Sequence, residues 1–304
     1  MLLYGPRWLL SLPLFLLIPM AAFCDRLLLI PLAIAALIIF APFMRFNLPL
    51  GKITGATHPG MQKLRVFTCN IDSARFDTTD LVSTIKEMSV DIVALQECPE
   101  DIKLLIPVGW YMIKEGSFAI ISRFPVRKVN TVQITSLKSI WPGTYLLHTI
   151  VHSPDGDIAV CTIQLPTPRV GLMRILDRHT VVRPSRSGKF YEETDRRRYV
   201  ALEVRRYIDT ISLPLIIAGD FNTTVESTIY RLVWNRFKNA FSEAGLGYGW
   251  SQRVAVRGYY YSSRIDHILT GKGLTPLLSE VGPDIGSDHL PLIADIGIEG
   301  IGKR

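Results

Sequence analysis

Cysteine is scarce in this chain: 304 residues carry four. Cys24 lies in a long apolar run. Cys69, Cys98 and Cys161 are an odd number in apolar contexts, and none shows the paired spacing of a zinc site. This resembles reduced core thiols more than a disulfide framework. Internal repeats and low-complexity tracts are also missing, which excludes a repeat architecture. Nor is there a strong excess of one charge. Thirty-four Lys and Arg against 27 Asp and Glu give +7, and Arg7, Arg26, Arg45 and Lys52 carry much of it near the N-terminus. The remainder is mildly basic. It suits a polyanionic substrate or an anionic membrane surface, and it is far weaker than a dedicated nucleic-acid-binding arm.

Long apolar runs, by contrast, are present and unevenly placed. The chain is 48% hydrophobic, and the excess lies before residue 50. "RWLLSLPLFLLIPMAAFC" is followed, after only Asp25-Arg26, by "LLLIPLAIAALIIFAPFMR". Leu27 to Met44 is free of charge and about long enough to cross the ~30 Å hydrocarbon layer as a helix. Trp8 to Cys24 is shorter and carries Pro13 and Pro19. A signal peptide would account for Arg7 before an apolar stretch, but the second run would remain as an anchor. The expectation is an N-terminal membrane anchor over 1–45 made of two transmembrane helices, in an inner or plasma membrane. Arg7 before the first run and Arg45, Lys52, Lys63 and Arg65 after the second place both ends on the cytoplasmic face. A single span would place the domain opposite the N-terminus.

Residues 46–62 are rich in Gly, Pro and Thr, lack periodicity, and read as a linker. From Lys63 to the end at 304 the pattern becomes strand and helix. "KLRVFTCN" and "VDIVALQE" are strands, and "DTTDLVSTIKEM" between them is a helix with N-cap candidates. The middle holds antiparallel ladders, with "SPDG" as a hairpin turn. In "TDRRRYVALEVRRYIDTI", Val200, Val204, Ile208 and Ile211 form one helical stripe. "PLIIAGDFN", "SSRIDHILT" and "LPLIADIGI" complete the strands. The mixture predicts an α/β sandwich and not a purely parallel doubly wound sheet.

Four of these strands meet a compact acid, amide or imidazole at one end: Asn70, Glu97, Asp220 with Asn222, and Asp288 with His289. A fifth carries Asp266. Strand ends of this kind gather in one crevice in layered α/β folds. Asp and Asn are also ordinary turn formers, but a Glu straight after Val-Ala-Leu is not a turn preference. Hard oxygen donors with few sulfur or imidazole partners suit Mg²⁺, or Mn²⁺.

"RVFTCNI", "DIVALQE", "AIISRFPV", "LIIAGDFN", "SRIDHIL" and "GSDHLP" occur here in one order. In that order and context the chain resembles the endonuclease/exonuclease/phosphatase superfamily over residues 63–298. These metal-dependent phosphoesterases include DNase I-like nucleases, abasic-site endonucleases, sphingomyelinases and inositol-phosphate phosphatases. The resemblance implies a four-layer α/β sandwich with two mixed β-sheets face to face. It implies Glu97 as the principal Mg²⁺ ligand, Asn70 beside it, and Asp288 as a metal-side or water-mediated ligand. Asp220 matches the residue that orients or deprotonates water, and Asn222 the amide that holds a phosphate oxygen. His289 matches the catalytic imidazole, and Asp266 the carboxylate that fixes its tautomer.

One position departs from that pattern. Where many relatives end a strand in a phosphate-contacting His, this chain has Gln164, which donates a hydrogen bond but carries no charge. With a two- or four-residue "SPDG" loop, Gln164 shares its face with Tyr145, Leu147 and Thr149, while His148 and His152 point the other way. Arg169, close behind Gln164, is a candidate substrate contact. The run Arg196, Arg197, Arg198, Arg205 and Arg206 reads as a solvated helix face or, by the resemblance, as a phosphate-facing ridge with one of the first three on the cleft side, and His267 reads as packing. Ser122 and Arg123 read as support for the cleft. Tyr259, Tyr260 and Tyr261 fit base stacking, a membrane surface or an alternating strand.

The sequence therefore predicts a membrane-anchored, Mg²⁺-dependent phosphoesterase acting on a phosphodiester, phosphomonoester or lipid-linked pyrophosphate. The alternatives are a membrane-associated nuclease and a catalytically degraded binding module. The expected partners are the bilayer and a lipid-linked or nucleic-acid phosphate ester; no obligate protein partner is evident.

Overall fold

The computed structural model describes residues 11–49, 61–71, 76–134, 143–168, 188–256 and 259–299. Arg169 lies outside them, as do the side chains of Tyr259, Tyr260 and Tyr261. The described strands are β1 (Lys63–Asn70), β2 (Ile92–Gln96), β3 (Tyr111–Glu115), β4 (Phe118–Ser122), β5 (Val126–Ile134), β6 (Gly143–Ser153) and β7 (Gly156–Gln164). They continue with β8 (Leu215–Asp220), β9 (Lys238–Asn239), β10 (Gln252–Val256), β11 (Tyr259–Ser263), β12 (Asp266–Thr270), β13 (Leu274–Val281) and β14 (Leu292–Ile298).

Two six-stranded sheets result, in the orders β13-β14-β1-β2-β4-β3 and β5-β6-β7-β8-β12-β9. Each is mixed. β1 runs parallel to β2, and β7 to β8, while the other pairings are antiparallel. Side chains alternate across a strand, so β1 sends Leu64 and Val66 to one face and Phe67 and Cys69 to the other. The first pair meets Val160, Ile216, Ala218 and Ile268 of the opposite sheet in a core between the sheets. Phe67 and Cys69 pack under α3 (Thr78–Glu87) through Leu81 and Ile85. On the far side, α4 (Gly188–Ile208) and α5 (Thr228–Val233) cover the second sheet with Val200, Val204, Ile208 and Ile229. Helix, sheet, sheet, helix is the four-layer arrangement. A short α6 (Ala240–Ala244) packs near β13.

Local chemistry accounts for the element ends. The Asp77 side chain accepts from Thr79 N at 2.7 Å and caps α3. Ser153 pairs directly with Gly156, so the β6–β7 hairpin has a two-residue loop. Leu147 and Thr149 take the inner face as expected, whereas Tyr145 packs with Val200 and Val204 in the outer cluster, and His148 lies on that outer face too, bonded to Tyr207 Oη at 2.9 Å. His152 pairs with Asp157. Neither imidazole reaches the inner face.

Across β1 and β14, Arg65 holds Asp295 at 2.6 and 3.0 Å and Lys63 reaches it at 3.2 Å. Burial alone would raise this carboxyl. The bonds and charges of Arg65 and Lys63 outweigh it and hold Asp295 below its ordinary value. A lowered carboxylate pKa stabilises the fold above the unfolded value near ~3.9 and loses that contribution as pH falls through the folded one. Asp295→Asn is therefore expected to cost about 2 kcal/mol at pH 7. Urea denaturation should show the gap from wild type narrowing steadily below pH 4; a gap that is constant with pH would remove the ion pair as its cause.

The N-terminal helices are shorter than the sequence predicts. α1 (Leu12–Cys24) has 13 residues and α2 (Leu29–Ile38) has 10, about 20 and 15 Å at ~1.5 Å per residue. Among the described residues, no helix is long and apolar enough to cross a membrane. The expected second span, Leu27 to Met44, is interrupted in its backbone. It opens with a 3₁₀ turn at Arg26–Leu28, after Asp25 caps Leu27 N, and closes in a π-turn at Ile39–Phe43. Pro42, inside that turn, has no N–H to continue the α ladder. Hydropathy counts side chains and does not register these breaks.

Candidate active site

At one end of the sandwich the apolar core gives way to polar side chains on the same inward parity. Along β1 the inner positions run Leu64, Val66, Thr68, Asn70, and along β8 they run Ile216, Ala218, Asp220. Gln164 opposes Asp220 in the parallel β7–β8 pair, and Asp266 opposes it from β12. One step deeper, Gln96 of the first sheet donates to Thr162 of the second at 2.7 Å. This buried bond closes the floor of the cleft.

Glu97 follows β2 at φ 55°. A left-handed conformation is costly for a residue with a Cβ, of order 1–3 kcal/mol, and is typical of functional sites. Here it brings Glu97 to the inner side, where Asn70 Nδ2 donates to Oε1 at 2.6 Å and Gln164 Nε2 donates to the same oxygen. Two neutral amides thus fix one carboxylate. Asn222 is also left-handed, at φ 49°. Its backbone N–H donates to Asp220 Oδ1 at 2.8 Å, and its Nδ2 donates to Asp220 Oδ2 and to Leu165 O, both at 2.9 Å. Those bonds make Asn222 a clamp on Asp220.

His289 and Asp266 are both buried, and His289 Nδ1 lies 2.9 Å from Asp266 Oδ2. Nε2 of the ring lies 3.2 Å from Gln252 Nε2. Burial would pull the imidazole down, but the charge and hydrogen bond of Asp266, with Asp220 and Asp288 adding to them, push it well above its ordinary value. Asp220 moves upward too, through burial and the Asp266 charge, against His289 and the bonds from Asn222 and Asn70. A protonated ring presents Nε2–H, and Gln252 must then turn its amide oxygen towards it. Asp288 is exposed at the rim.

The donors fit a divalent cation. Side-chain oxygens of Asp220 and Asp266 lie within 4.8 Å of each other and of the His289 ring, which when protonated offers no lone pair to an ion. Among the described residues, Asp266 Oδ1 is buried without a hydrogen-bond partner, and Asp220 and Asp266 form no ion pair with Lys or Arg. Asp266 has His289 as its countercharge, but the bonds on Asp220 come from the neutral amides of Asn70 and Asn222, and a buried carboxylate so placed is expensive. A hard cation on oxygen donors, Mg²⁺ or Mn²⁺, would relieve that cost.

The geometry also revises several sequence expectations. Arg197 is not on a solvated face. Its guanidinium donates to Pro166 O at 2.9 Å and to Asn222 O at 2.6 Å, stapling the loops that follow β7 and β8. Ser122 and Arg123 do not support the cleft. Ser122 pairs with Ile92 at the other end of β2, and Arg123 bonds Asp91. His267 is packing, as expected: burial pushes it down to about 4. It also lies 2.9 Å from Thr223 O, beneath the loop that carries Asn222. Gln252 carries no signal in the sequence; an isolated bridge to His289 brings it to the site.

Residues 67–289 match the endonuclease/exonuclease/phosphatase family. A search of curated protein sequences gives no match. Several solved structures share the fold. An AP endonuclease from Archaeoglobus fulgidus is 18% identical with a TM-score of 0.53, over 76% of this chain and 98% of its own. An endonuclease/exonuclease/phosphatase from Beutenbergia cavernae is 15% identical with a TM-score of 0.51, over 78% and 72%. D. rerio TDP2 complexed with single strand DNA product is 17% identical with a TM-score of 0.50, over 77% and 99%.

Proposed function

This chain belongs to the endonuclease/exonuclease/phosphatase family, and on that premise we propose that it is a metal-dependent phosphoesterase attached to a membrane. The observation that carries the chemistry is the buried Asp220–Asp266–His289 cluster beside a Glu97 fixed by two amides. Glu97 and Asn70, with Asp288 at the rim, would hold Mg²⁺ or Mn²⁺. When bound, the cation neutralises phosphate charge and stabilises charge that develops on its oxygens.

The remaining work falls to the chain's own groups. Asp220, held by Asn222 and Asn70 and raised in pKa by its burial, is placed to accept a proton from the attacking water. His289, kept protonated by Asp266, donates from Nε2 to a phosphate oxygen or to the leaving group. Asn222 Nδ2 gives its hydrogens to Leu165 O and Asp220 Oδ2 and can turn one to phosphate only by releasing one of them, so its first task is to position Asp220. Gln164 uses one N–H on Glu97 and offers the other to substrate without adding charge.

Membrane attachment rests on α1 and α2, whose large apolar side chains face outward: Phe15 is 73% exposed, Phe23 91% and Leu37 68%. Helices this short suit insertion from one face and not crossing. A lipid-borne phosphate ester is the first substrate class. Nucleic acid is the second, because one structural neighbour holds a DNA product. A degraded binding module would have no use for a buried Asp220 held by neutral amides.

The test is hydrolysis by the full chain, with Mg²⁺ or with EDTA, of a soluble phosphodiester, a phospholipid, an isoprenyl pyrophosphate and plasmid DNA. Glu97→Gln should lower turnover of the preferred substrate at least a hundredfold and raise the Mg²⁺ concentration for half-maximal rate at least tenfold. Turnover that survives EDTA would overturn the metal; no turnover together with no Mg²⁺ binding would favour the module.

A further inference from the structure

The stretch after α2 is bonded to the catalytic domain. Asn47 pairs with Gly247 as an isolated antiparallel bridge, with N···O distances of 2.7 and 2.9 Å. Its side chain donates inward to Phe241 O at 2.8 Å and Gly245 O at 2.6 Å. Arg45 adds an ion pair to Glu226 at 3.1 Å. The apolar helices are therefore latched to two loops. One, at Glu226, begins at Asn222; the other, Gly245–Gly247, leads through Trp250 to Gln252 at His289.

The bridge also sorts side chains. With Asn47 opposite Gly247, Phe46 lies opposite Tyr248 and Leu48 opposite Leu246. All four fall on the face away from the Asn47 side chain. Phe46 meets Tyr248 edge-on at 5.2 Å, and Tyr248 stacks on Trp250 at 4.6 Å and 10°. Leu48, Leu246 and Trp250 remain exposed.

We propose that this Phe46–Leu48–Leu246–Tyr248–Trp250 platform docks on a phospholipid bilayer as a continuation of α1 and α2, holding the cleft against the interface so that the enzyme attacks phosphate esters carried on lipid. The occupant follows from three observations. The platform is continuous along the chain with helices that expose large apolar side chains. Its Tyr and Trp are the rings that settle at an apolar–polar boundary. Exposed Arg26 lies just before α2, where anionic headgroups would meet it. The proposal rests on the membrane and phosphoesterase readings above and adds the orientation of the site.

The full chain is floated with vesicles of phosphatidylcholine and phosphatidylglycerol, with and without brominated acyl chains. Trp250 emission is read as the difference between wild type and Trp250→Phe. Brominated lipid should quench that emission at least twofold, and a Leu48→Ser/Leu246→Ser variant should recover at least half of the loss. That variant should still float on its helices and hydrolyse a soluble phosphodiester within twofold of wild type, while turnover of a vesicle-borne ester falls at least tenfold. Equal Trp250 emission in both vesicles, or an equal fall on both substrates, would overturn the platform. So would a dimer in vesicle-free buffer that already shields Trp250 and keeps doing so on vesicles. Absence of Mg²⁺-dependent turnover of the soluble diester by wild type would strike the phosphoesterase reading alone, because quenching reports docking without catalysis.

Discussion

His289→Gln is expected to lower kcat/KM for phosphodiester hydrolysis about a thousandfold, near the middle of the ~10²–10⁴ range for a positioned proton donor or acceptor and equivalent to ~4 kcal/mol. The ring is buried and bonded through Nδ1 to a buried carboxylate. Only Nε2 is left to act, and Gln252 sits beside it. Glutamine keeps polar volume against Asp266, so a loss of rate is separable from a loss of fold, which urea denaturation would report.

Asp266→Asn should cost about a hundredfold, because it removes the charge that keeps the ring protonated without touching substrate itself. If Asp266 acts through His289, the double variant should be no slower than His289→Gln within a few-fold. Independent roles, such as Asp266 Oδ1 serving a cation on its own account, would make the two losses multiply. The cycle thus discriminates a positioning carboxylate from a metal ligand. Both are open to this side chain, since one oxygen faces the ring and the other has no partner among the described residues.

Much of this site was legible because it is built from strand ends. Period-2 alternation places Asn70, Gln164 and Asp220 on the inner face as soon as their strands are recognised, and the two-residue hairpin loop fixes the register that excludes His148. The family resemblance then orders the acids. Longer-range geometry was not legible. Gln252 reaches His289 through a bridge spanning 37 residues, and nothing in "WSQRV" announces it. Arg197 looks like one cation in a run, because helical spacing tells which residues share a stripe and not what lies beyond the stripe's edge. Arg123 follows a strand, as the site residues do, but at the wrong end of its sheet, and sequence alone gives strand polarity no absolute direction. For α1 and α2, composition was right about apolarity, while the break at Asp25 and the π-turn that holds Pro42 decided length.

Gly219→Ala should be the most damaging single methyl in the domain: at least about 3 kcal/mol of stability, with activity lost beyond what unfolding explains. Glycine in a strand marks a close backbone approach, and here β8 passes against β7. An added Cβ would stand 2.0 Å from Ile163 O and 3.0 Å from Ile163 N and C. Those atoms are backbone, so no rotamer relieves the contact; the strands must part. The same displacement separates Gln164 from Asp220, the next pair in register, and with it the bonds on Glu97 and Asp220. Backbone conformation contributes as well, since φ is 148°, and Gly273→Ala isolates that part. Gly273 is also left-handed, at φ 78°, but its Cβ would meet only Pro214 Cγ at 4.0 Å. It should cost about 1 kcal/mol and leave kcat/KM unchanged. Urea midpoints and rates on the folded fraction of both variants decide the matter. Equal, small costs would mean that β7 and β8 yield easily and that the acids are placed by their loops; a large cost confined to Gly219, with lost activity, would assign their placement to the contact between the two parallel strands.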